Sequence, residues 1–599
     1  MHSLDWAIVI GYIVLALVIG IALTRKASAN LEDFYLAGRS LPWWVAGTSL
    51  VATSFSADTP LFVAGLVRSE GVFGNWFWWA GAFGSVATVF FFARMWRRLD
   101  IVTDIEFLVV RYDDSSARTA LRIFRVFYDG VLVNSIIMAS VTLAASKLIQ
   151  VMLDLSSEAL FTLPVVGGVT ATALVMIVLG LIALVYTSLS GLYGVVYTDL
   201  IQFGLAMVGA IALAVSAYAA TAAKGPVMEQ IKALPAFSAE QTQMFPSMGG
   251  EGFVMFTFLV YVLVSWWGGA PGNGFAVQRL LATRSERDSM LAFLWYSICH
   301  FVIRPWPWIV VGLLSMIYFP GLDDPEMSYP LMIDKFLPMG LKGVMVASLL
   351  AAFMSTIDTH LNWGSSYLIN DLYRARLRKN QTGRHYVKAA RWSMVLLTAV
   401  MLIVTTQLTG ILAAYKYLGV IGGGVGTVMV ARWYWWRVNV YSEISAMVMS
   451  LIVGNWVSWG LADQTAADGA LVSYFGHRFM ITMACSTVTW VVVTYLTTTE
   501  PTPQARAFFL QSGVGGPGWT HVAKSMDAPA RPMGFGFLFL GWVTGCVFIL
   551  GLLLGIGEIL FSRALPASLY LGFAVIAGVL LLTCFTRLFQ NLEPSELKA

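Results

Sequence analysis

The stretch Ala347-Ser-Leu-Leu-Ala-Ala-Phe-Met-Ser-Thr-Ile-Asp-Thr-His360 sets hydroxyls and a carboxylate inside a run otherwise apolar enough to lie in a membrane. Lipid penalises such groups unless they are partnered, so Ser355, Thr356, Asp358 and Thr359 must face something that needs oxygen. Residues three and four apart share a helix face, which aligns Ala352, Ser355, Thr356 and Thr359, with Asp358 on the flank beside Ser355. Oxygen ligands without thiols or clustered imidazoles suit a hard cation rather than zinc or copper. The stretch predicts a cation site buried in a membrane.

The rest of the chain agrees with a membrane setting. Of 599 residues 58% are hydrophobic and only 12% charged, and the mean hydropathy is +0.74. Too few polar residues remain to cover a soluble surface of that size. A span needs about 20 apolar residues, and about fifteen segments qualify, centred near 15, 55, 85, 135, 176, 205, 265, 303, 355, 398, 424, 452, 488, 547 and 577. The fold class is therefore an all-α polytopic membrane protein.

The net charge of +4 is small but unevenly placed. Arginines from Arg94 to Arg125 crowd one loop region, and Arg374 to Arg391 crowd another; the alternate loops around Asp154 and Asp323 are acidic. The positive-inside rule makes the basic loops cytoplasmic, which places the N-terminus outside and the C-terminus inside. Basic residues beside spans read as topology signals rather than a nucleic-acid surface. Cys299, Cys485, Cys546 and Cys584 fall in apolar spans at unrelated spacings, so no disulfide framework is expected. Residues 1–24 lack a basic n-region and a cleavage motif and are expected to be a retained first helix.

Two segments are interrupted in a related way. Gly47-Thr-Ser-Leu-Val-Ala-Thr-Ser-Phe-Ser-Ala-Asp-Thr-Pro60 is dense in hydroxyls, and Ser265-Trp-Trp-Gly-Gly-Ala-Pro-Gly-Asn-Gly274 in glycine. Both break a helix at membrane depth and free backbone groups. With the segment at 15 set aside, they become the first and sixth helices of two five-helix halves, the pattern of an inverted-repeat transporter. The expected organisation is an N-terminal extra helix over 1–30, a ten-helix core over 40–437, and about four extra helices over 438–599. A Pro/Gly-rich cytoplasmic linker is expected at about 499–531.

The chain resembles the sodium–solute symporter family, whose fold is LeuT-type, over roughly residues 5–465. The resemblance rests on Asp33-Phe-Tyr-Leu-Ala-Gly-Arg-Ser40, Gly191-Leu-Tyr-Gly-Val-Val-Tyr-Thr-Asp-Leu-Ile-Gln202, Val277-Gln-Arg-Leu-Leu-Ala282, Ala352-Phe-Met-Ser-Thr356 and Asn370-Asp-Leu-Tyr373, in that order. It implies a sodium ion between the first broken helix and the eighth, held by the carbonyls of Ala52, Phe55 and Ala352 and the hydroxyls of Ser355 and Thr356. It implies a second sodium in some members, at positions that map onto Asp199, Ser355, Asp358 and Thr359. Where relatives often carry a hydroxyl this chain has Asp358, so a second sodium or a proton on Asp358 is expected to answer the repulsion between two carboxylates, the alternative being that Asp358 pairs with an Arg or Lys at the cytoplasmic mouth.

The solute side is less like sugar carriers, which place polar groups early in the second helix where this chain has Gly74-Asn-Trp-Phe-Trp-Trp79. The expected solute contacts are Asp58, Trp76, Phe77, Trp266, Trp267, Asn273, Arg304, Tyr415 and Lys416. Aromatic faces stack on sugar rings or hold cations. Arg304 and Lys416 would favour an anion unless Asp58 neutralises one of them. The expected function is sodium-coupled import of a sugar, acidic sugar or other organic anion across the cytoplasmic membrane, by a unit for which a monomer suffices. Amino acids and quaternary amines are the alternative solutes, and a transporter-like sensor is the alternative role. No HExxH motif or nucleophile–base pair supports an enzyme.

Overall fold

A computed structural model describes the chain except residues 28–30, 157, 164–166, 235–238, 248–251, 273, 409, 461–470, 527–533 and 591–599. Among the described residues eleven helices are long and apolar enough to cross a membrane, twelve with one bent pair counted as a span, and three shorter apolar helices accompany them. The shorter ones, Ser3–Ala16, Ala171–Val185 and Val254–Gly268, lie at the segments expected near 15, 176 and 265. The segments near 176 and 205 run together as helical backbone from Ala171 to Ala222, and a two-stranded antiparallel hairpin of Ala159–Leu163 with Gly167–Thr170 precedes them.

Both expected interruptions are present. The helix Trp43–Ser54 stops, Phe55 turns out of helical geometry, and Asp58–Glu70 resumes at an angle of 57°. The second break runs from Gly252–Leu263 through a tight turn at Ser265–Gly268 to Gly274–Ala282. Gly274 has a φ of 55°, and a Cβ there would lie 2.5 Å from the Trp363 ring, so only glycine lets the chain pass. The helix Leu341–Ser366, which carries the polar stretch, is the most enclosed span, with 94% of its apolar window buried. It packs against the Ala171–Ala222 helix, the first helix and Trp43–Ser54.

The first helix, Ser3–Ala27, is less peripheral than its position in the chain suggests. The buried Asp5 carboxylate accepts hydrogen bonds from the amides of Gly340 and Gly343, each 2.8 Å. These amides open the Leu341–Ser366 helix, and a carboxylate there satisfies donors that the first turn leaves orphaned.

The 499–531 stretch, expected as a linker, is folded over its described part. The helices Pro503–Ser512 and Thr520–Ser525 fasten the loop after Arg98 to the end of the Ile411–Tyr434 helix. Arg111 lies over the rings of Phe508 and Trp519, at 5.3 and 5.0 Å, and donates to the carbonyls of Arg432, Trp435, Trp436 and Val438. The Trp519 indole donates to Trp433 O at 2.8 Å. Proline and glycine shape these turns, while buried Phe508, Phe509 and Trp519 supply the apolar surface that makes them pack.

Candidate ion and solute sites

The ion locus forms where the first break meets the Leu341–Ser366 helix. Ala352, Ser355, Thr356, Asp358 and Thr359 are all buried. Thr356 Oγ1 lies 3.0 Å from Ala352 O on its own helix and 3.1 Å from Thr53 O on the broken one. The back-bond to residue i−4 is ordinary for a membrane threonine; the bond to Thr53 is the one that brings the two helices together. At the break, the Phe55 amide bonds to Val51 O and Ala52 O, at 2.7 and 3.1 Å. Hydroxyl and carbonyl oxygens therefore crowd one spot, a donor set that suits a small hard cation. Among the described residues no group of three or more His, Cys, Asp or Glu side chains could hold a softer metal.

Beside this spot the Asp199 carboxylate accepts from Ser355 Oγ on one oxygen and Ser49 Oγ on the other, each 2.5 Å. The fully buried Arg279 reaches into the same group. Its Nη2 is 3.9 Å from Asp199 Oδ2 and donates to Thr359 Oγ1 at 2.8 Å, while its Nη1 donates to Gln278 at 3.0 Å. Thr53 and Thr359 hydroxyls are 3.3 Å apart. Asp358, also fully buried, lies within electrostatic range of Arg279 and of Tyr12 from the first helix. The four residues expected around a second ion are thus brought together, with Arg279 among them. Its charge meets the repulsion between two carboxylates that the sequence left open. Breaking such a buried pair by removing one partner costs about 3–5 kcal/mol.

The expected solute residues separate. Asp58 accepts from Tyr415 OH at 2.5 Å rather than from a cation. Lys416 is paired with Glu70 at 3.1 Å, both largely buried, so it is neutralised by a residue the sequence reading passed over. Trp76 turns away, its indole donating to Met244 O at 2.8 Å and its ring packed on Trp79, Phe245 and Phe258. Trp266 and Trp267 donate to carbonyls one turn back, at Val262 and Leu263, which frees their rings to act as walls. Asn273 lies outside the described residues.

Arg304 is a buried cation with no carboxylate within ion-pair distance among the described residues; Asp58 acts on it electrostatically from farther off. A wide helical turn at Cys299–Ile303 sets its position, with the Arg304 amide bonding to Cys299 O. Its guanidinium bonds to Val51 O at 3.5 Å, next to the first break, and to His300 Nε2 at 3.0 Å. A guanidinium only donates, so Nε2 accepts and the imidazole is neutral. Two cavities, of about 340 and 400 Å³, flank the second break and share Phe77, Ser265, Gly269 and Gly272. Trp267 lines the first; Trp266, Tyr296 and His300 line the second.

Arg279, Ser49, Thr53, Glu70 and His300 escaped the sequence reading. Arg279 carried a signal, since it stands within the quoted Val277–Ala282 run, and Ser49 and Thr53 lie four apart on the broken helix.

Residues 34–454 match the sequence pattern of the sodium:solute symporter family. A sodium/glucose cotransporter of Vibrio parahaemolyticus is 24% identical over 487 residues, covering 75% of this chain and 84% of that protein. Sodium/glucose cotransporter 4 of Danio rerio is 24% identical over 497 residues, covering 76% of this chain and 71% of the relative. Among solved structures, a substrate-bound, outward-open Na+-coupled sialic acid symporter superposes with a TM-score of 0.61 at 18% identity, covering 84% of this chain and 99% of the other. That likeness concerns the fold.

Proposed function

The chain belongs to the sodium:solute symporter family, a sodium-coupled membrane carrier of LeuT-type fold for small polar solutes, and we propose that its solute is an acidic sugar or another organic anion. The observation that carries this reading is Arg304, a buried cation beside the first break that no described carboxylate meets within ion-pair distance, Asp58 acting on it only from farther off. An intramembrane charge of this kind is costly to keep unless it meets an opposite charge during function. Phe77, Trp266 and Trp267 supply faces for a sugar ring. Lys416, neutralised by Glu70, and Asp58, engaged by Tyr415, act as parts of the wall and gate rather than as charge selectors.

Sodium enters as co-substrate at Ala52, Phe55, Ala352, Ser355 and Thr356, with Thr53 O added to the set. Bound there, it bridges the broken helix to Leu341–Ser366 and favours the arrangement in which solute can bind. Separation of the two helices then releases it on the other side. Coupling requires that sodium bind one arrangement more tightly than the other. Asp199, Asp358 and Thr359 form the second locus, where Arg279 supplies the positive charge, so the sodium at the first site is the one transported. The ten-helix core spans 40–437 as two inverted five-helix repeats; it sits in the cytoplasmic membrane with the N-terminus outside, and a monomer suffices for transport.

A thermal-shift screen of hexoses, hexuronic acids, sialic acid, amino acids and betaine, each with sodium or choline chloride, tests the reading. Stabilisation by an acidic solute in sodium alone is expected. Stabilisation by betaine or a neutral amino acid, with no response to acids, would overturn it.

A further inference from the structure

The cavity of about 340 Å³ is closed on one side by the transport core and on the other by a helix that follows it, Leu471–Thr497. The core side is the second break together with Phe77, and the outer side is Phe475, Phe479 and Met483. The Phe475 ring stands 5.5 Å from Phe77 and 5.6 Å from Tyr261, within the range of direct ring contact. Phe77 in turn touches Phe62, and Phe62 touches Tyr415, so the ring series runs on to the Asp58–Tyr415 contact.

The intervening helix, Ile411–Tyr434, is stripped of side chains where these rings pass. A Cβ at Gly419 would lie 3.2 Å from Phe475, and one at Gly423 would lie 2.6 Å from Phe479. These glycines are one turn apart on the same face. Between them Gly422 has nothing within 4 Å, and it lines the cavity. A Cβ at Gly426 would lie 2.8 Å from the Cα of Gly268 in the second break, so the two backbones pass with room only for glycine. Ordinary packing would need the clearances at Gly419 and Gly423; it would not leave Gly422 open onto a void. At the far end lie Asp129 and the buried Arg125 and Arg432; Arg125 is ion-paired with Asp129 at 2.8 Å and Arg432 with Glu443 at 3.3 Å, which leaves Arg125 Nη1 and Arg432 Nε as the donors with no hydrogen-bond partner among the described residues.

We propose that Phe475 and Phe479, from outside the ten-helix core, form a wall of the solute path and set which solutes fit by their apolar face. The ligand class is a small solute with a ring or short alkyl face against the phenylalanines and an oxygen acceptor toward the Arg125–Arg432 end. The volume lies at the low end of the range for small-molecule sites. This inference rests on reading the space beside the second break as the solute path, because the cavity shares Phe77, Ser265, Gly269 and Gly272 with its neighbour there.

Water-soluble methanethiosulfonate labelling in proteoliposomes tests the wall without knowledge of the solute. In a background with Cys299, Cys485, Cys546 and Cys584 replaced, Phe475→Cys and Phe479→Cys should label. Val488→Cys, on the same helix at a residue 65% exposed on the outer surface, should not. Adding Gly422→Val should abolish labelling at both inner positions. Labelling no faster than at Val488→Cys would overturn the proposal, while sodium-dependent stabilisation by an acidic solute would still stand on its own. In a second arm, Phe475→Ala should shift the preference between a hexuronic acid and its phenyl glycoside about tenfold toward the larger one, measured as the ratio of stabilisation midpoints. An equal change for both compounds would reduce Phe475 to packing and overturn its selective role.

Discussion

Replacing Thr356 by valine keeps the β-branched shape and deletes one oxygen. That oxygen lies 3.1 Å from Thr53 O and 3.0 Å from Ala352 O, so it ties two helices and belongs to the ion's donor set. The two roles can be told apart. Without sodium, the buried Thr53 carbonyl loses its donor, which lowers stability by about 1–3 kcal/mol. With sodium, one contact to a full charge is lost, worth about 1.5–3 kcal/mol, and the sodium midpoint should rise roughly 10- to 100-fold. The assay is the melting temperature of the purified protein titrated with sodium chloride, with choline chloride holding ionic strength constant. Ser366→Ala is the control, because its hydroxyl bonds only to Trp363 O among the described partners, at 2.6 Å; its midpoint should move less than about twofold. A Thr356→Val protein that melts earlier yet keeps its sodium midpoint would refute the reasoning, leaving Thr356 as a helix tie and the ion elsewhere.

Arg279→Gln should lower the melting temperature more than the Asp199→Asn/Arg279→Gln double variant does, since the single change strands a buried carboxylate; additive losses would mean the two groups do not interact. Asp358→Asn should leave the charge-to-solute ratio of transport currents unchanged, because Arg279 already supplies the countercharge; a ratio that falls by one would make Asp358 an ion ligand. Lys416→Met and Glu70→Gln should each destabilise the protein, and the double variant should recover the preference for acidic over neutral solutes, read from the same thermal screen. Loss of that preference in the double variant would return Lys416 to the solute site.

The membrane class, the two breaks and the shared face of 352–359 were legible because each rests on local sequence: apolar length, helix-breaking residues and three-to-four spacing; the meeting of that face with 52–55 was implied only by the family resemblance. What escaped was pairing over distance. Arg279 is 80 positions from Thr359 and 150 residues separate Ser49 from Asp199, and no periodicity reports such contacts. Lys416 looked like a charge selector because Glu70, 346 residues away, gave no sign of facing it. Trp76 looked like a pocket wall because tryptophan's composition says nothing of rotamer. The 499–531 stretch misled in the opposite sense: its prolines and glycines signalled turns, while the few aromatic residues that make those turns pack were too sparse to register as a pattern.

Asp5 and the amides it caps are 335 and 338 residues apart. At a synthesis rate of about 5–20 residues per second, roughly 20–70 s separate the emergence of the acceptor from that of its donors. During that interval the carboxylate must be met by water or headgroups at the membrane face, since lipid offers it nothing. The tie between the first helix and the ion-bearing helix therefore forms only when the latter arrives, and the order of translation makes that tie a mark that the chain has reached Gly343.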